Sequence, residues 1–556
     1  MKSLARVTIP LLAVSAWAAG GEVLYNGIEL PAVWPPRVSV AELKTFEPMR
    51  LPYLERPPAV IPIDVGRQLF VDDFLVEQTT LTRRFHKAEP HPGNPVLRPD
   101  KRWEKFATPP ASAIAFSDGC FFDPADKLFK IWYRPSHGSG TCYATSTDGI
   151  HWKKPPLDVQ PGSNVVLLGG QRDSSTIWLD HDAKDAAQRF KFFQFQRDSW
   201  RASVHTSPDG IHWSAPIWCG PAGDRSTMFY NPFRKVWVFS IRAFLNKGPG
   251  KYTTKPFHQY HRARKYGEAG DFLAGSQWSG GELHEDWPAG APPFWVAADR
   301  LDSPGVAPDE IKSELYNLDA APYESVMLGL FSVWHSSGKG VDQPKINDIM
   351  LGFSRDGFHW DRPFREAVIP VSNDPRTWNY GNVQSVGGGC LVVGDRLFMY
   401  ASGRNAREDT TGLFFFRRDG FASMEAGERE ATLTTRPVMF SGRHLFVNLA
   451  APRGALRVEA LDRNGKIIAP FTKDDCVALS DDKTRLKVSW KKGDDLSRLA
   501  GQPVRFRFHL TRGALYAFWV SSDGSGASQG YIGAGGPGFA GAIDTVGNAF
   551  IQASAR

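Results

Sequence analysis

The sequence contains few cysteines and, beyond its N-terminal segment, no long apolar run. No apolar stretch after residue 20 approaches the ~20 residues that a helix needs to cross a bilayer, so a membrane span is not expected. Buried, unpaired thiols are the simplest expectation for the cysteines, and a disulfide between Cys120 and Cys142 is the alternative. The five cysteines have no metal-ligand spacing and are Cys120, Cys142, Cys219, Cys390 and Cys476.

Charge of one sign is not concentrated in any part of the chain. The net charge is +7 and the isoelectric point is near 9.0, but Lys and Arg are spread along the whole sequence. Nucleic-acid binding requires a concentrated basic face and is therefore not expected, whereas an anionic glycan is compatible. The Gly-rich segment 533–538 lacks the Lys-Ser/Thr ending of a phosphate loop. The sequence contains no cofactor motif, so neither a cofactor nor a metal is expected.

The N-terminal segment has the features of a secretory signal peptide. Lys2 and Arg6 precede the apolar run 7–19, and Ala16-Trp17-Ala18 forms a small-x-small cleavage site. The run is too short to span a bilayer. We therefore expect residues 1–20 to be removed and the mature protein to be secreted or periplasmic.

Glycine, proline and aromatic residues are abundant, and a short Asp-Gly turn recurs. The 53 Gly, 41 Pro and 12% aromatic residues are typical of an all-β protein. In such a turn, Asp accepts hydrogen bonds from the turn amides, and Gly adopts the positive φ that other residues resist. Weaker copies lie at Asp271-Phe272 and Asp419-Gly420, and successive turns are ~60 residues apart with one longer interval. The three full copies are 146–152, 207–213 and 354–360.

This seven-residue unit resembles the Asp-box of sialidases and related β-propellers, in which it joins the outer strands of a blade. The five repeats predict a five-bladed β-propeller over residues 61–424. We expect the apolar strand 68–76 to complete the last blade, which would leave no sheet edge open.

The rest of the chain has no such repeat. Residues 21–60 are rich in Pro and predict an extended arm on the body of the protein. Strict apolar-polar alternation, as in 504–510, predicts a β-sandwich over residues 432–522. The Gly-rich tail 523–556 is expected to fold back on the propeller. The predicted fold class is therefore all-β, a five-bladed β-propeller followed by a C-terminal β-sandwich.

Candidate site residues follow from the propeller geometry. Inner strands converge on an axial funnel, so polar residues near the start of each inner strand point toward one another. We assign catalytic roles to Asp173, Asp224 and Glu324, because glycoside hydrolysis needs one protonated and one ionised carboxyl group. Asp123 is an alternative to Asp118 in the first blade. The residues expected to bind substrate are Arg172, Arg225, Asp118, Asn382, Gln384 and the aromatic residues Trp178, Trp378 and Tyr380.

A five-bladed propeller followed by a sandwich is similar to the invertase, levanase and arabinanase-type glycoside hydrolases and to exported bacterial relatives of that group. Arg172-Asp173 matches the Arg-Asp pair that binds sugar hydroxyls in those enzymes, with Ser174 in place of the usual Pro. Of the three predicted catalytic residues, the resemblance covers Asp173, which we expect to orient the sugar or to tune the pKa of a neighbouring group. Asp224 and Glu324 are expected to take the acid and base roles in either order because of their positions at the funnel.

Three functions are consistent with these patterns. The first is an exported glycoside hydrolase that acts on a plant or algal polysaccharide or its oligosaccharides. The second is a non-catalytic propeller that binds glycans. The third is a sialidase-like hydrolase of an acidic sugar, which the Asp-boxes suggest and the count of five blades disfavours, because sialidases have six.

Overall fold

The computed structural model shows a protein that is nearly all β, with a few short helices, as the composition predicts. The N-terminal segment 1–20, expected to be a signal peptide, lies outside the described residues. Within the described chain, all five cysteines are free and buried, and no helix is long and apolar enough to cross a membrane. The structure describes residues 21–105, 110–136, 140–169, 172–246, 261–303, 313–337, 345–405 and 407–547.

Residues of the N-terminal segment 21–60 contact residues much later in the chain. Tyr25 stacks on Phe233 with ring centroids 4.3 Å apart, and its hydroxyl donates to the Ser325 carbonyl. The first elements are the helices α1 Val40–Leu43 and α2 Pro52–Glu55 and the strands β1 Ile61–Pro62, β2 Gln68–Leu69, β3 Val76–Thr79, β4 Thr82–Phe85, β5 Glu89–Pro90 and β6 Ala111–Ser112.

Three separate four-stranded antiparallel sheets follow, each built from strands consecutive in the chain. Their strands are rich in aromatic and β-branched residues that pack into one large core between the sheets. The first sheet contains β7 Cys120–Asp123, β8 Leu128–Tyr133, β9 Thr141–Ser146 and β10 Val165–Leu167; the second contains β11 Arg172–Leu179, β12 Phe190–Gln196, β13 Arg201–Ser207 and β14 Ile217–Pro221; the third contains β15 Thr227–Asn231, β16 Val236–Phe244, β17 Arg262–Ala269, the short helix α3 Phe272–Gly275, and β18 Phe294–Ala297.

The next seven strands form two antiparallel groups within one larger sheet. A single parallel pair, Asn347 with Asn382, joins the groups. The N-terminal strands β5 and β6 pair with the last strand of the second group. The strands are β19 Glu314–Glu324, β20 Val326–Ser337, β21 Lys345–Ser354, β22 Asn382–Gln384, β23 Leu391–Val393, β24 Arg396–Arg404 and β25 Glu408–Arg417.

The C-terminal strands form two further sheets, in the orders β31-β29-β33-β26-β4 and β3-β27-β32-β30. The Gly-rich tail contributes a strand to the large sheet, because its strand β34 pairs with the end of β19. The strands of this region are β26 Ala422–Ala426, β27 Ala431–Thr435, β28 Val438–Met439, β29 His444–Ala450, β30 Ala455–Leu461, β31 Asp482–Lys487, β32 Arg505–Thr511, β33 Gly513–Ser521 and β34 Tyr531–Ile532.

The expectation for strand 68–76 is wrong. β2 pairs with β33 and β3 pairs with β27, so this segment belongs to the C-terminal sheets. Phe70 explains the preference, because it packs against Phe508 and Phe518 in the apolar core of those sheets. The edge of β25 is instead covered by β5 and β6.

The three full Asp-Gly turns have the same hydrogen bonds. Asp148 Oδ1 accepts from the amides of Ile150 and His151, each at 2.8 Å, and Ser146 Oγ accepts from the Gly149 amide at 2.9 Å. The two weaker copies differ, because Asp271 caps helix α3 and Asp419 is a buried ion-pair partner. The equivalent bonds recur around Asp209 and Asp356.

Each full turn is also held by an aromatic residue of a neighbouring strand group. The donor is a tyrosine hydroxyl or a tryptophan Nε1, and the acceptor is a carbonyl inside the turn. The turns therefore connect adjacent sheets as well as adjacent strands. The bonds are Tyr400 to Gly149 at 2.6 Å, Trp132 to Gly210 at 2.8 Å and Trp295 to Phe358 at 2.7 Å.

Candidate functional site

The start of β11 carries a buried aspartate surrounded by arginines. Asp173 Oδ1 lies 3.0 Å from Arg225 Nη2 and 3.8 Å from Arg134 Nη1. Asp173 Oδ2 accepts a hydrogen bond from Arg197 at 2.5 Å. Burial acts to raise the pKa of Asp173, but the charges of Arg225, Arg134 and Arg197 outweigh it, and the pKa lies well below its usual range. This carboxylate is therefore ionised at any physiological pH.

A second buried aspartate extends this group of charges. Asp409, on β25, lies 3.7 Å from Arg134 Nη2 and accepts a hydrogen bond from Arg404 Nε at 3.0 Å. Arg134 thus lies between two carboxylates. We call this group the start cluster, and it consists of Asp173, Asp409, Arg134, Arg197, Arg225 and Arg404.

Two residues beside the start cluster have strained backbones. Phe116 and Arg225 have φ values of 48° and 63°, in the left-handed region that non-glycine residues rarely adopt. The Phe116 ring centroid lies 3.9 Å from Arg225 Cζ and 4.8 Å from Arg134 Cζ. Strain of this kind persists where the surroundings fix it, and it is common at functional sites. Both guanidinium groups are therefore held against one aromatic ring.

The two inner arginines retain unused hydrogen-bond donors. Arg134 is 1% exposed and Arg225 is 2% exposed. Within the described chain, Nε and Nη2 of Arg134 and Nε and Nη1 of Arg225 donate to no acceptor. Arg264 holds the Arg225 backbone in place, because its Nη1 donates to the Arg225 carbonyl at 2.6 Å. Buried N–H groups without partners are rare in proteins.

One nearby carboxyl group has a pKa shifted in the opposite direction. Asp319, in the middle of β19, is 4% exposed and accepts from Asn317 Nδ2 at 2.7 Å and the Val386 amide at 2.9 Å. Burial raises the pKa of Asp319 to about 6, although hydrogen bonds from Ser117 and Val386 oppose the shift. Asn317 connects it to the arginines, because Arg264 Nη2 donates to Asn317 Oδ1 at 3.3 Å.

Asp224 lies in the turn three residues before strand β15. It is partly buried and forms an ion pair with Arg242. The neighbouring residue in sequence is Arg225, so the structure brings Asp224 and Asp173 to the same region. Glu314, the first residue of β19, is paired in the same way with Arg262.

The structure does not bring Glu324 to the other two predicted catalytic residues. Glu324 is the last residue of β19, seven positions beyond Asn317, a span of ~23 Å along a strand. It is 0% exposed and lies 3.4 Å from Arg67 and 3.2 Å from Arg418. The sequence analysis expected Glu324 near the start of an inner strand, whereas β19 begins ten residues earlier, at Glu314.

The predicted pair Arg172 and Asp118 is fully buried and mutually satisfied. Arg172 donates two hydrogen bonds to Asp118, at 2.9 and 2.7 Å, and a third to the Gly140 carbonyl at 3.0 Å. This geometry gives both residues a structural role. Asp123, the alternative to Asp118, lies at the far end of the sheet, where it pairs with Lys130 and Arg189.

The predicted aromatic residues pack against other side chains. Trp178 is a buried core residue that contacts Phe121 and Trp237. The Trp378 ring lies over Gly403 and Gly412, where an added Cβ would come within 2.2 Å of it.

The other predicted binding residues lie at the join between β21 and β22. Tyr380 is partly buried and forms a backbone bridge with Ser372. Asn382 and Gln384 lie on β22. The buried side-chain amide of Gln384 has no hydrogen-bond partner within the described residues. In the strand register, Gln384 is opposite Ser402. The Ser402 hydroxyl accepts a hydrogen bond from the Phe116 amide at 2.6 Å.

Several site residues were missed by the sequence interpretation. Asp409, Arg134 and Phe116 belong to no motif, and they meet Asp173 only because non-consecutive strands converge. Asp319 was missed because the inner strand that carries it, β19, begins earlier in the chain than the sequence suggested. Among the described residues, no three His, Cys, Asp or Glu side chains are grouped so that they could hold a metal ion.

No family profile and no curated protein matches this sequence. Solved structures similar to this one include an N-acetylgalactosamine deacetylase from F. plautii in complex with blood group B trisaccharide, at 11% identity, covering 59% of this chain and 97% of that chain, with a TM-score of 0.36. An arabinoxylan arabinofuranohydrolase of glycoside hydrolase family 43 from Bacillus subtilis, in complex with cellotetraose, has 9% identity, coverage of 79% and 99%, and a TM-score of 0.33. A fructofuranosidase from Schwanniomyces occidentalis complexed with fructosylnystose has 11% identity, coverage of 76% and 97%, and a TM-score of 0.32.

Proposed function

We propose that this protein is a glycoside hydrolase whose substrate binds at the start cluster. The observation that carries the proposal is a pair of aspartates with pKa values shifted in opposite directions, Asp173 downward and Asp319 upward to about 6. Hydrolysis of a glycosidic bond requires one ionised and one protonated carboxyl group near neutral pH. Asp173 takes the role of base or nucleophile, and Asp319 takes the role of general acid.

A chain of contacts supports the assignment of both residues to one site. Asp173 pairs with Arg225, whose carbonyl accepts from Arg264, and Arg264 also donates to Asn317. Asn317 in turn donates to Asp319. The sequence predicted an acid or base role for Asp224, but its ion pair with Arg242 favours a substrate-binding role, which we propose for it instead.

The proposed architecture is a five-bladed propeller with a C-terminal sandwich. Five groups of consecutive antiparallel strands support it: β7–β10, β11–β14, β15–β18, β19–β21 and β22–β25. The interlocking turns also support it, because each joins neighbouring groups. In this arrangement residues 68–85 belong to the sandwich, and β5 and β6 complete the fifth blade.

A screen on plant and algal glycans, followed by substitution of both aspartates, tests this proposal. We expect Asp173→Asn and Asp319→Asn each to lower kcat by about 100-fold or more, the usual effect of losing acid–base catalysis. Asp374→Asn is the matched control, because Asp374 is paired only with the exposed Arg376. Full activity of both variants on a hydrolysed glycan would refute the site.

A non-catalytic glycan-binding function is the second candidate. The observation that favours it is the pairing of Asp173, Asp224, Glu314 and Asp409 with arginines, since ion-paired carboxylates are poor proton donors. If the protein only binds glycans, binding should be saturable and no product should form after long incubation. The affinity for the glycan should also be the same in Asp319→Asn as in the wild type.

Export remains a proposal that rests on the N-terminal sequence. A mature protein that begins near residue 21 after expression in a bacterial host would support it. Retention of residues 1–20 in the purified protein would refute it.

A further inference from the structure

The start cluster contains more positive than negative charge. Among the described residues of this cluster, arginines outnumber carboxylates, since Arg134, Arg197, Arg225 and Arg404 form their ion pairs with Asp173 and Asp409. Arg264 adds a further cation beside Arg225. Buried charges normally occur with a partner of opposite sign, because an uncompensated one is expensive to desolvate.

The electrostatics of Arg134 reflect this imbalance. Burial lowers the pKa of Arg134 to about 9, and repulsion from Arg404 and Arg225 adds to the effect against the attraction of Asp173 and Asp409. Burial likewise lowers the pKa of Arg264 to about 9, with repulsion from Arg242 and Arg225 against the attraction of Asp319. An additional anion in this region would relieve both arginines.

The donors that such an anion needs are already in position. Arg134 and Arg225 approach the same oxygen, Asp173 Oδ1, and both lie against the Phe116 ring. Their side chains are therefore fixed. Nε of Arg134 and Nε and Nη1 of Arg225 have no acceptor within the described chain. Nη2 of Arg134 lies 3.7 Å from Asp409 Oδ2 without donating a hydrogen bond to it. A planar guanidinium group presents paired donors that match the oxygens of a carboxylate or a sulfate.

We propose that Arg134 and Arg225 form an anion subsite, and that the saccharide bound at the start cluster carries a carboxylate or a sulfate ester. The anionic group accepts hydrogen bonds from the free donors of both arginines, while the Gln384 amide is available to sugar hydroxyls. The proposal rests on the proposed hydrolase function and narrows its substrate to acidic saccharides. Binding of the anionic group to the two arginines does not itself require that the saccharide be hydrolysed.

Calorimetric titration of the full mature chain with matched oligosaccharides tests the subsite. The probes are oligogalacturonate for a carboxylate, a sulfated galactan oligosaccharide for a sulfate ester, and neutral galacto-oligosaccharides of the same length. We expect one anionic class to bind at least about 10-fold more tightly than the neutral sugar, with affinity that falls as salt rises. Neutral sugars that bind as tightly as both anionic classes, or no binding of either anionic class, would overturn the proposal.

Two substitutions locate the binding. Arg134→Met and Arg225→Met keep much of the side-chain volume, and each should weaken the anionic oligosaccharide at least about 10-fold, since a lost charge-assisted donor pair is worth this much. Arg189→Met is the control, because Arg189 is an ion-paired arginine at the opposite end of the second sheet. Unchanged affinity in both variants would overturn the subsite.

The outcomes separate this proposal from the hydrolase function. If binding depends on Arg134 and Arg225 but no product forms, the anion subsite is supported and the hydrolase function is refuted. If a neutral glycan is hydrolysed, and this activity is lost in Asp173→Asn but retained in both arginine variants, the hydrolase function is supported and the anion subsite is refuted.

Discussion

The molecule contains two buried ionic clusters that differ in charge balance. The start cluster has four arginines and two aspartates. The second, which we call the end cluster, lies at the other end of β19 and consists of Arg67, Arg418, Glu324, Asp419 and Asp544. In the end cluster the carboxylates outnumber the arginines. The two clusters lie near opposite ends of strand β19.

The partners of the end cluster indicate a structural role. Tyr323 and Asn448 donate to Asp419 at 2.7 and 2.8 Å, and Ser528 donates to Glu324 at 2.7 Å. These residues come from the large sheet, the C-terminal sheets and the tail, so the cluster connects distant parts of the chain. Residues with positive φ and buried donors without an acceptor occur at both clusters, at Phe116, Arg134 and Arg225 in or beside the start cluster and at Glu324, Asp419 and Arg67 in the end cluster. The clusters therefore differ in charge balance, and the excess of positive charge in the start cluster is what indicates an anionic ligand there.

The largest expected effect is loss of stability when the end cluster is broken. Arg67→Met should lower the free energy of unfolding by about 3–5 kcal/mol, because it leaves buried carboxylates without their partner. Urea denaturation measures this change. Arg443→Met, at an exposed ion pair, is the control and should change stability by no more than about 1 kcal/mol. If Arg67→Met lowers the free energy of unfolding no more than Arg443→Met does, the end cluster does not have a structural role.

The second expected effect is a pH dependence of the free energy of unfolding. Its sign differs between carboxyl groups whose pKa is raised and those whose pKa is lowered. The folded-state pKa of Asp319 is about 6, above its ordinary 3.8, so between these values the native state holds a proton that the unfolded chain releases. The free energy of unfolding should therefore fall as pH rises from about 4 to 6, by ~3 kcal/mol at most. The pKa values of Asp419 and Asp544 are lowered, so their contribution is lost as pH falls below about 4.

Unfolding free energies measured from pH 3.5 to 7 test both signs. Asp319→Asn should make the decline between pH 4 and 6 smaller, and the exposed control Asp374→Asn should leave it unchanged. The part that remains is expected from Asp361 and Glu324, whose pKa values are also raised by burial. If Asp319 is the general acid, kcat should also fall above about pH 6. A decline that persists unchanged in Asp319→Asn would place the titrating group elsewhere.

The smallest expected effect is at the start cluster itself. Arg225→Met should change the free energy of unfolding by about 1 kcal/mol or less, because it removes a buried charge with unused donors and leaves Asp173 paired with Arg134 and Arg197. Thermal and urea denaturation measure it. A loss as large as that of Arg67→Met would make the two clusters equivalent and the comparison invalid.

The sequence allowed the local features to be predicted and left the long-range pairing open. The Asp-Gly turns were visible because their hydrogen bonds are made within seven residues, and alternation in 504–510 matches the buried and partly buried residues of β32. Residues 68–76 were misplaced because an apolar strand does not encode its partner, and β2 pairs with β33, more than 400 residues later in the chain.

The candidate site was predicted only in part. Asp173 and Arg225 were found because they precede inner strands. Asp319 and Asp409 were missed, because their environments are created by residues of other strands, such as Val386 for Asp319 and Arg134 for Asp409. Glu324 was selected from its acidic side chain, but its position at the end of β19 was hidden by the misplaced strand start.

The most direct test of the central claim is the comparison of two variants on one hydrolysed oligosaccharide. We expect kcat/KM to fall about 100-fold or more in Asp173→Asn, while the folded fraction of Glu324→Gln keeps wild-type activity despite its lower stability. Wild-type activity in Asp173→Asn together with loss of activity in folded Glu324→Gln would contradict the location of the site at the start cluster.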